Sequence, residues 1–169
     1  EPVRHLMMHT EYADLVAVIK KQCAEYVKGN KGVKISNVML IDELFMEFDV
    51  VLIKRMLNIL FTNSQKFAAK NCHISVGLIR KDNGNVQIQV ADNGIGVADE
   101  YKPHMFDHTA GVDELELALV KDIIVAHGGT IEVKDNPGGG TIMVIDLPAK
   151  GMVEEAEIMD DDHADDEIK

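Results

Sequence analysis

Cysteine, tryptophan and long apolar runs are scarce or missing in this chain of 169 residues. It has no tryptophan, and its two cysteines, Cys23 and Cys72, are too few and too far apart for a disulfide framework or a zinc knuckle. No apolar run approaches the length that crosses a bilayer, and the opening EPVRHL does not have the charged-then-apolar pattern of a leader. We therefore expect two buried thiols in a cytoplasmic domain without direct membrane contact, cut from a longer protein that can itself be membrane-anchored.

Basic residues are also in the minority, with 17 lysines and arginines against 29 acidic residues and a formal net charge of -12. This balance argues against a nucleic-acid surface. Nine of the acidic residues and two of the lysines lie in residues 149–169, so more than half of the excess charge belongs to one stretch. Its low apolar content predicts a disordered acidic tail there. The rest has the composition of one globular domain.

Hydrophobic periodicity predicts three helices. The first is expected to be capped by Thr10 and to run to about Lys28. The second is expected over about 50–70 and the third over about 113–126, where Gly128 and Gly129 end it. Apolar residues of the first two helices fall on single faces: Leu15, Ile19, Cys23 and Tyr26 on one, and Ile53, Met56, Leu57, Leu60 and Phe61 on the other.

Alternating apolar and polar residues predict six strands, at 32–40, 43–48, 73–80, 85–92, 130–135 and 141–148. The turn Asp82-Asn83-Gly84 predicts a hairpin between the third and fourth strands. Residues 97–111 have no clear period and are predicted to form a loop or lid with one turn of helix. The order of elements predicts an α/β fold, a two-layer sandwich of one mixed sheet with helices on one face.

Two short stretches carry side chains suited to nucleotide chemistry. Asn63 and Lys66 lie three apart on a predicted helix face, where an amide oxygen suits magnesium and a lysine suits phosphate. In DNGIG, Asp92 can accept a hydrogen bond from an amino group on a base, while Gly94 and Gly96 let the backbone approach a ligand. Taken singly, the helix pair is better explained as a solvated helix face, and a plain turn explains DNGIG about as well as a binding loop does.

The order of the motifs is more informative. NSQKFA, VADNGIGV, MFD, LALVKDIIVAHGGTIEV and GGGTIMVIDLP resemble, in this order, the N, G1, F, G2 and final glycine boxes of sensor histidine kinases. That family shares the Bergerat fold with gyrase and the heat-shock chaperone. The resemblance covers about residues 32–148, and Asp49 stands ahead of the N box as it often does in the family. It places a linker and first helix at 1–31, the ATP-binding domain at 32–148 and the tail at 149–169.

The resemblance implies a function and a set of site residues. Family members bind Mg-ATP and transfer its γ-phosphate to a histidine on a separate dimerisation domain, from which it passes to the receiver domain of a response regulator. The cofactors implied are ATP and Mg2+, and the enzyme class implied is protein-histidine kinase. The implied roles are magnesium binding by Asn63, phosphate contact by Lys66, packing beside the nucleotide by Phe67, recognition of the adenine amino group by Asp92, a pocket floor at Gly94 and Gly96, and a place near the adenine for Thr141.

Three departures from the family pattern weaken the prediction that this chain binds the phosphates of ATP. Where family members usually have glycines, this chain has Val112, Glu114 and Glu116, and with Asp113 these acids would occupy a helix N-terminus that otherwise attracts phosphate. A second asparagine usually stands four residues before the magnesium ligand, where this chain has Ile59, with Asn58 one residue away.

The third departure is a short lid, with no Lys or Arg between Phe106 and Leu115. The alternative prediction is therefore a degenerate kinase domain with weak or no ATP binding, acting as a regulatory protein-interaction module.

Histidines offer a further metal hypothesis. His5 and His9, and again His104 and His108, are spaced four apart, as two metal ligands on one helix face would be. Neither pair has a third ligand in the sequence pattern, so solvated histidines remain the simpler interpretation. His127 stands at the end of the third predicted helix, where the dipole would favour a charged imidazole, and plain helix capping is the simpler interpretation.

Overall fold

The computed structural model describes residues 6–68, 71–108 and 115–151. Three predictions concern residues outside these ranges: the part of the acidic tail from residue 152 onward, the metal-ligand role of His5, and the departures from the family pattern at 112–114. The helices are α1 (Leu15–Gly29), α2 (Val50–Lys66) and α3 (Leu115–Ala126), with a 3-10 turn at Lys102–His104. The strands are β1 (Glu11–Asp14), β2 (Val33–Met39), β3 (Phe45–Phe48), β4 (Cys72–Arg80), β5 (Val86–Asp92), β6 (Thr130–Asp135) and β7 (Thr141–Leu147).

Five strands form one mixed sheet in the order β2-β4-β5-β7-β6. Strands β2 and β4 are parallel, and every other neighbouring pair is antiparallel. The predicted α/β fold with a mixed sheet is confirmed. Of the six predicted strands, β3 does not join this sheet. It pairs with β1 in a separate two-stranded sheet.

The start of α1 differs from the prediction. Residues 11–14 are extended and pair with β3, so Thr10 cannot cap the helix. Asp14 is the cap instead: its carboxylate accepts hydrogen bonds from the backbone N–H groups of Val16 at 3.0 Å and Leu44 at 2.8 Å. One aspartate thus begins α1 and also ties it to the segment that leads into β3.

Helix α2 is shorter than predicted and ends at Lys66. Its C-terminal cap is Phe67, whose carbonyl accepts a hydrogen bond from the backbone N–H of Ile95 at 3.2 Å. The chain therefore leaves the helix to contact the loop after β5. At the other end, Asp49 caps α2 through a 3.0 Å bond from the N–H of Leu52.

The core lies between one face of the main sheet and the helices. Along β5 the apolar residues Val86, Ile88 and Val90 are buried, while Gln87 and Gln89, which point to the opposite face, are not. The predicted apolar faces of α1 and α2 are also buried. Within the described residues, no helix is long and apolar enough to span a membrane.

Both cysteines are buried, as expected from their isolation in sequence. Burial raises the pKa of the Cys23 thiol to about 12. Burial, with the Asp92 carboxylate nearby, also raises the pKa of Cys72. Because the thiolate is the reactive form, neither residue is a ready nucleophile at neutral pH.

Candidate nucleotide site

The Asp92 carboxylate, at the last residue of β5, is held by three donors. Its Oδ1 accepts the backbone N–H of Gly94 at 3.0 Å and that of Thr141 at 3.1 Å. Its Oδ2 accepts the hydroxyl of Ser64 at 2.9 Å. The carboxylate is therefore fixed from α2, from its own loop and from the start of β7, while Asp92 itself remains partly exposed.

The backbone of Asp92 is clamped as well. Its carbonyl accepts the side-chain N–H of Asn136 at 2.8 Å. A Cβ on Gly140 would lie 2.0 Å from that same carbonyl oxygen, so the turn before β7 approaches Asp92 as only glycine allows. Gly96, with φ +82°, turns the loop on the other side.

The end of α2 carries the other predicted binding residues. Asn63 is half-buried, and Lys66 and Phe67 are exposed. The Lys66 ammonium lies 5.8 Å from the centroid of the Phe67 ring, a cation–π distance. A Cβ on Gly94 would lie 2.9 Å from the Phe67 carbonyl oxygen. The C-terminal cap of α2 and the DNGIG loop are thus in direct contact.

The position four residues before Asn63 is closed to metal binding. Ile59 is 8% exposed and belongs to the core. Asn58 is exposed, but its Oδ1 accepts a 2.6 Å hydrogen bond from the Gln22 side chain of α1. Asn58 thus faces α1, whereas Asn63 precedes Ser64, whose hydroxyl contacts Asp92.

The side chain of His127 caps the end of α3. It is buried, and its Nδ1 lies 2.7 Å from the Ile123 carbonyl, to which it donates. Its Nε2 lies 3.1 Å from the backbone N–H of Asp49 and accepts from it. Both contacts together need the neutral imidazole with the proton on Nδ1, in place of the charged form that the helix dipole alone would favour. The end of α3 is thereby bound to the N-terminus of α2.

The Asp49 carboxylate sits in a polar environment despite its burial. Burial opposes its charge, but the N–H groups of His9 and Leu52 donate to it and hold the pKa of Asp49 below its ordinary value of 3.8. Asp49 is thus a charged cap at the start of α2.

The first part of the predicted lid is anchored to the body of the domain. Met105 and Phe106 are buried. The Lys102 ammonium forms ion pairs with Asp99 and, at 2.8 Å, with Asp135 at the end of β6. The carboxylates of Asp135 and Asp99 raise the pKa of Lys102. Lys102, which precedes Phe106 in the sequence, is thus held by an ion pair at the end of β6.

The histidines of the lid do not pair with each other. His104 contacts Asp107, with 3.1 Å between Nδ1 and Oδ2. His108 contacts the buried Asp122 of α3, with 2.9 Å between Nε2 and Oδ2. The described residues contain no group of three or more metal-ligating His, Cys, Asp or Glu side chains. The two lid histidines therefore have separate carboxylate partners.

Of the acids predicted at the start of the third helix, Glu116 is described. It is exposed in the first turn of α3. A carboxylate at a helix N-terminus interacts favourably with the dipole and disfavours a second anion. Its exposure leaves it well solvated, which weakens that repulsion.

Comparison with known proteins identifies the family. Residues 48–151 match the family described as histidine kinase-, DNA gyrase B- and HSP90-like ATPases. The chain belongs to this family. The match begins at the last residue of β3 and extends beyond β7, so it includes the whole set of Asp92 contacts.

Relatives of this chain include a sensor protein and a sensor histidine kinase. The sensor protein CiaH of Streptococcus pneumoniae is 36% identical over 109 residues, which cover 59% of this chain and 24% of CiaH. The sensor histidine kinase YkoH of Bacillus subtilis is 32% identical over 114 residues, which cover 62% of this chain and 24% of YkoH. The chain spans about a quarter of the length of these relatives.

Solved structures confirm the ATPase fold. The mycobacterial sensor histidine kinase MprB has a TM-score of 0.73 at 21% identity, covering 85% of this chain and 100% of the MprB chain. ShkA in complex with AMPPNP has a TM-score of 0.75 at 22% identity, covering 90% of this chain and 33% of ShkA. Together with the family match and the sequence relatives, this shared fold confirms the resemblance to the catalytic domains of sensor histidine kinases.

Sequence reasoning missed three residues that meet Asp92: Ser64, Asn136 and Gly140. Ser64 had a readable signal, because it continues the apolar stripe of α2 from Ile53 and Leu60 at helical spacing, and a polar residue on such a stripe needs a partner. Gly140 is one of three consecutive glycines, and spacing alone does not show which one meets Asp92.

Proposed function

We propose that this chain is the ATP-binding catalytic domain of a sensor histidine kinase. It presents Mg-ATP for transfer of the γ-phosphate to a histidine on a separate dimerisation domain, and the phosphate then passes to the receiver domain of a response regulator. The observation that carries the proposal is the Asp92 carboxylate, which is fixed by three donors at the edge of a partly exposed loop. A fixed carboxylate that still has acceptor capacity suits the amino group of adenine.

The residues of α2 fit a magnesium ion carried by the nucleotide. Mg2+ usually keeps several waters and takes one or two protein oxygens in addition to phosphate oxygens. The side chain of Asn63 is half-buried and has no hydrogen-bond partner among the described residues, so its amide oxygen can serve as the protein ligand. The magnesium ion would supply charge neutralisation for the phosphates. Lys66, one turn further along α2, would contact a phosphate oxygen.

The base and the backbone complete the proposed site. Asp92 would accept the adenine amino group, Gly94 and Gly96 would form the floor, and Thr141 would lie beside the base. Phe67 would pack against the nucleotide. The chain's own contribution is to bind and orient ATP, because the acceptor histidine belongs to another domain in this proposal.

The relatives support the signalling role. CiaH and YkoH are named as a sensor protein and a sensor histidine kinase. ShkA has been solved with the ATP analogue AMPPNP, and ThkA, a histidine kinase of the same fold, in complex with the response regulator protein TrrA. For this chain, we infer a pairing with a response-regulator receiver. The family resemblance adds a histidine-bearing dimerisation domain as the second proposed partner.

Calorimetric titration with a non-hydrolysable ATP analogue and Mg2+ tests the binding half. We expect dissociation constants of roughly 1 to 50 μM for the unchanged chain and loss of binding in Asp92→Asn. Asp82→Asn, the same chemical change in the exposed β4–β5 turn, is the control and should bind normally. In Asn63→Ala, the gain in affinity on adding Mg2+ should disappear. Transfer is then followed with γ-labelled ATP and a separately supplied acceptor-histidine domain.

The second candidate is the degenerate domain, which Ile59 and Glu116 favour. Ile59 is buried where a second asparagine is usual, and Glu116 places a carboxylate in the first turn of α3. No binding by the unchanged chain at millimolar analogue would refute the kinase proposal and favour a protein-interaction module on the same fold.

A further inference from the structure

A buried serine of α2 bonds to Asp92 across 28 residues of sequence. Ser64 is 5% exposed, and its hydroxyl donates to Asp92 Oδ2 at 2.9 Å. Helical serines commonly donate to a carbonyl of their own helix one turn back. A hydroxyl has a single proton to donate, so the donation to Asp92 commits Ser64 to this tertiary contact.

The count of acceptor sites on Asp92 gives this bond a specific consequence. An ionised carboxylate has about four lone-pair sites. Two of them, both on Oδ1, accept the N–H groups of Gly94 and Thr141. Ser64 occupies one site on Oδ2. The remaining acceptor site therefore lies on Oδ2, and its direction depends on which Oδ2 lone pair the hydroxyl takes.

We propose that Ser64 is a positioning residue that orients the Asp92 carboxylate for a 6-amino group on a purine base. The inference rests on the proposed nucleotide function. It names the residue that holds Asp92 in the orientation on which the selectivity of the site for adenine depends. A 6-amino group donates to the remaining acceptor on Oδ2. A 6-oxo group would bring an acceptor against it, and a purine without a 6-substituent would leave it unused. Ser64 contacts no ligand in this role and acts through Asp92.

The test compares Ser64→Ala with Thr62→Ala. Both changes remove a hydroxyl from α2, and alanine is the best helix former. Thr62 is exposed, and its Oγ1 lies 3.3 Å from the Tyr26 hydroxyl, so its hydroxyl contacts α1 and not Asp92. Each variant is titrated with a non-hydrolysable ATP analogue and with the matching analogue of purine riboside triphosphate, which lacks the 6-amino group. Amide hydrogen exchange of Gly94 and Thr141 is measured in both variants without nucleotide.

We expect Ser64→Ala to bind the ATP analogue about tenfold more weakly, the size of a lost hydrogen bond to a charged group. Its affinity for the purine riboside analogue should stay within about twofold of the unchanged chain, and Thr62→Ala should bind both normally. The amides of Gly94 and Thr141 should exchange faster in Ser64→Ala, because their acceptor is less firmly held.

Equal losses for the two analogues would overturn the proposal, since the effect would then not involve the 6-amino group. Unchanged exchange at Gly94 and Thr141 would also overturn it, because Ser64 would then not hold the carboxylate. If the unchanged chain binds neither analogue, the proposed function fails. The amide exchange then decides by itself whether Ser64 fixes Asp92.

Discussion

Replacing Gly140 by alanine should damage both the fold and the site, and Gly139 provides a matched comparison. Both glycines have positive φ angles, +105° for Gly140 and +120° for Gly139, which an alanine adopts at a cost of about 1–2 kcal/mol. They differ in their surroundings. A Cβ on Gly139 meets nothing within 4 Å, whereas one on Gly140 would lie 2.0 Å from the Asp92 carbonyl oxygen.

The difference between the two variants isolates the contact with Asp92. Gly139→Ala should lose about 1–2 kcal/mol of unfolding free energy through backbone conformation alone. Gly140→Ala should lose about 2–5 kcal/mol, because relieving such an overlap adds the 1–3 kcal/mol typical of overpacking. For a chain of this size, each kcal/mol lowers the melting temperature by about 2–4 °C. The Gly140 variant should therefore melt several degrees below the Gly139 variant.

Thermal and urea unfolding followed by circular dichroism would measure both variants, with coincident probes to check two-state behaviour. The shift of the β6–β7 turn away from Asp92 would also break the 2.8 Å bond from Asn136 to its carbonyl. Nucleotide affinity should fall in Gly140→Ala and remain near normal in Gly139→Ala. Equal stability of the two variants would refute the argument that Gly140 is required by its approach to Asp92.

Three further predictions concern charge and buried polar contacts. Glu116→Gln should tighten binding of an ATP analogue by up to about fivefold, the effect of roughly 1 kcal/mol at high dielectric. Its affinity for adenosine should stay unchanged. The control Glu25→Gln, on α1, should leave the affinities for both ligands unchanged, and calorimetric titration measures all four. His127→Phe should lose about 1–3 kcal/mol in urea unfolding, because the Asp49 amide would lose its buried acceptor. Since the pKa of Asp49 is lowered in the fold, its stabilising effect is present above pH 3.8 and is lost as pH falls through the folded pKa. Asp49→Asn should therefore flatten the acid side of a stability–pH profile measured by chemical unfolding.

Much of the fold follows from local sequence signals. The β4–β5 hairpin forms around Asp82-Asn83-Gly84, where the turn residues and the alternating strands agree. The apolar stripe of α2 likewise specifies which face is buried. The prediction of Thr10 as the cap of α1 was wrong because residues 11–14 are extended and pair with β3. The two paired segments are about 35 residues apart, so no local sequence pattern contains this contact.

The site was predictable in its parts and less so in its connections. The resemblance implied that Asp92, Gly94 and Thr141 lie beside one adenine. The N–H groups of Gly94 and Thr141 do donate to Asp92 Oδ1, while the roles of all three toward a base stay predictions. The roles of Asn63, Lys66 and Phe67 toward a nucleotide remain predictions. The neutral His127 could not be foreseen, because its state follows from a bond to the Asp49 amide 78 residues away.

The bonds to Asp92 also determine when in folding the site can exist. Its partners outside its own loop lie 28, 44 and 49 residues away along the chain, on α2, the β6–β7 turn and β7. No single hairpin or helix therefore contains the pocket, and a partly folded chain lacks it. A ligand at Asp92 would bind only the completed domain, so its binding free energy would add to the stability of the entire cooperative unit.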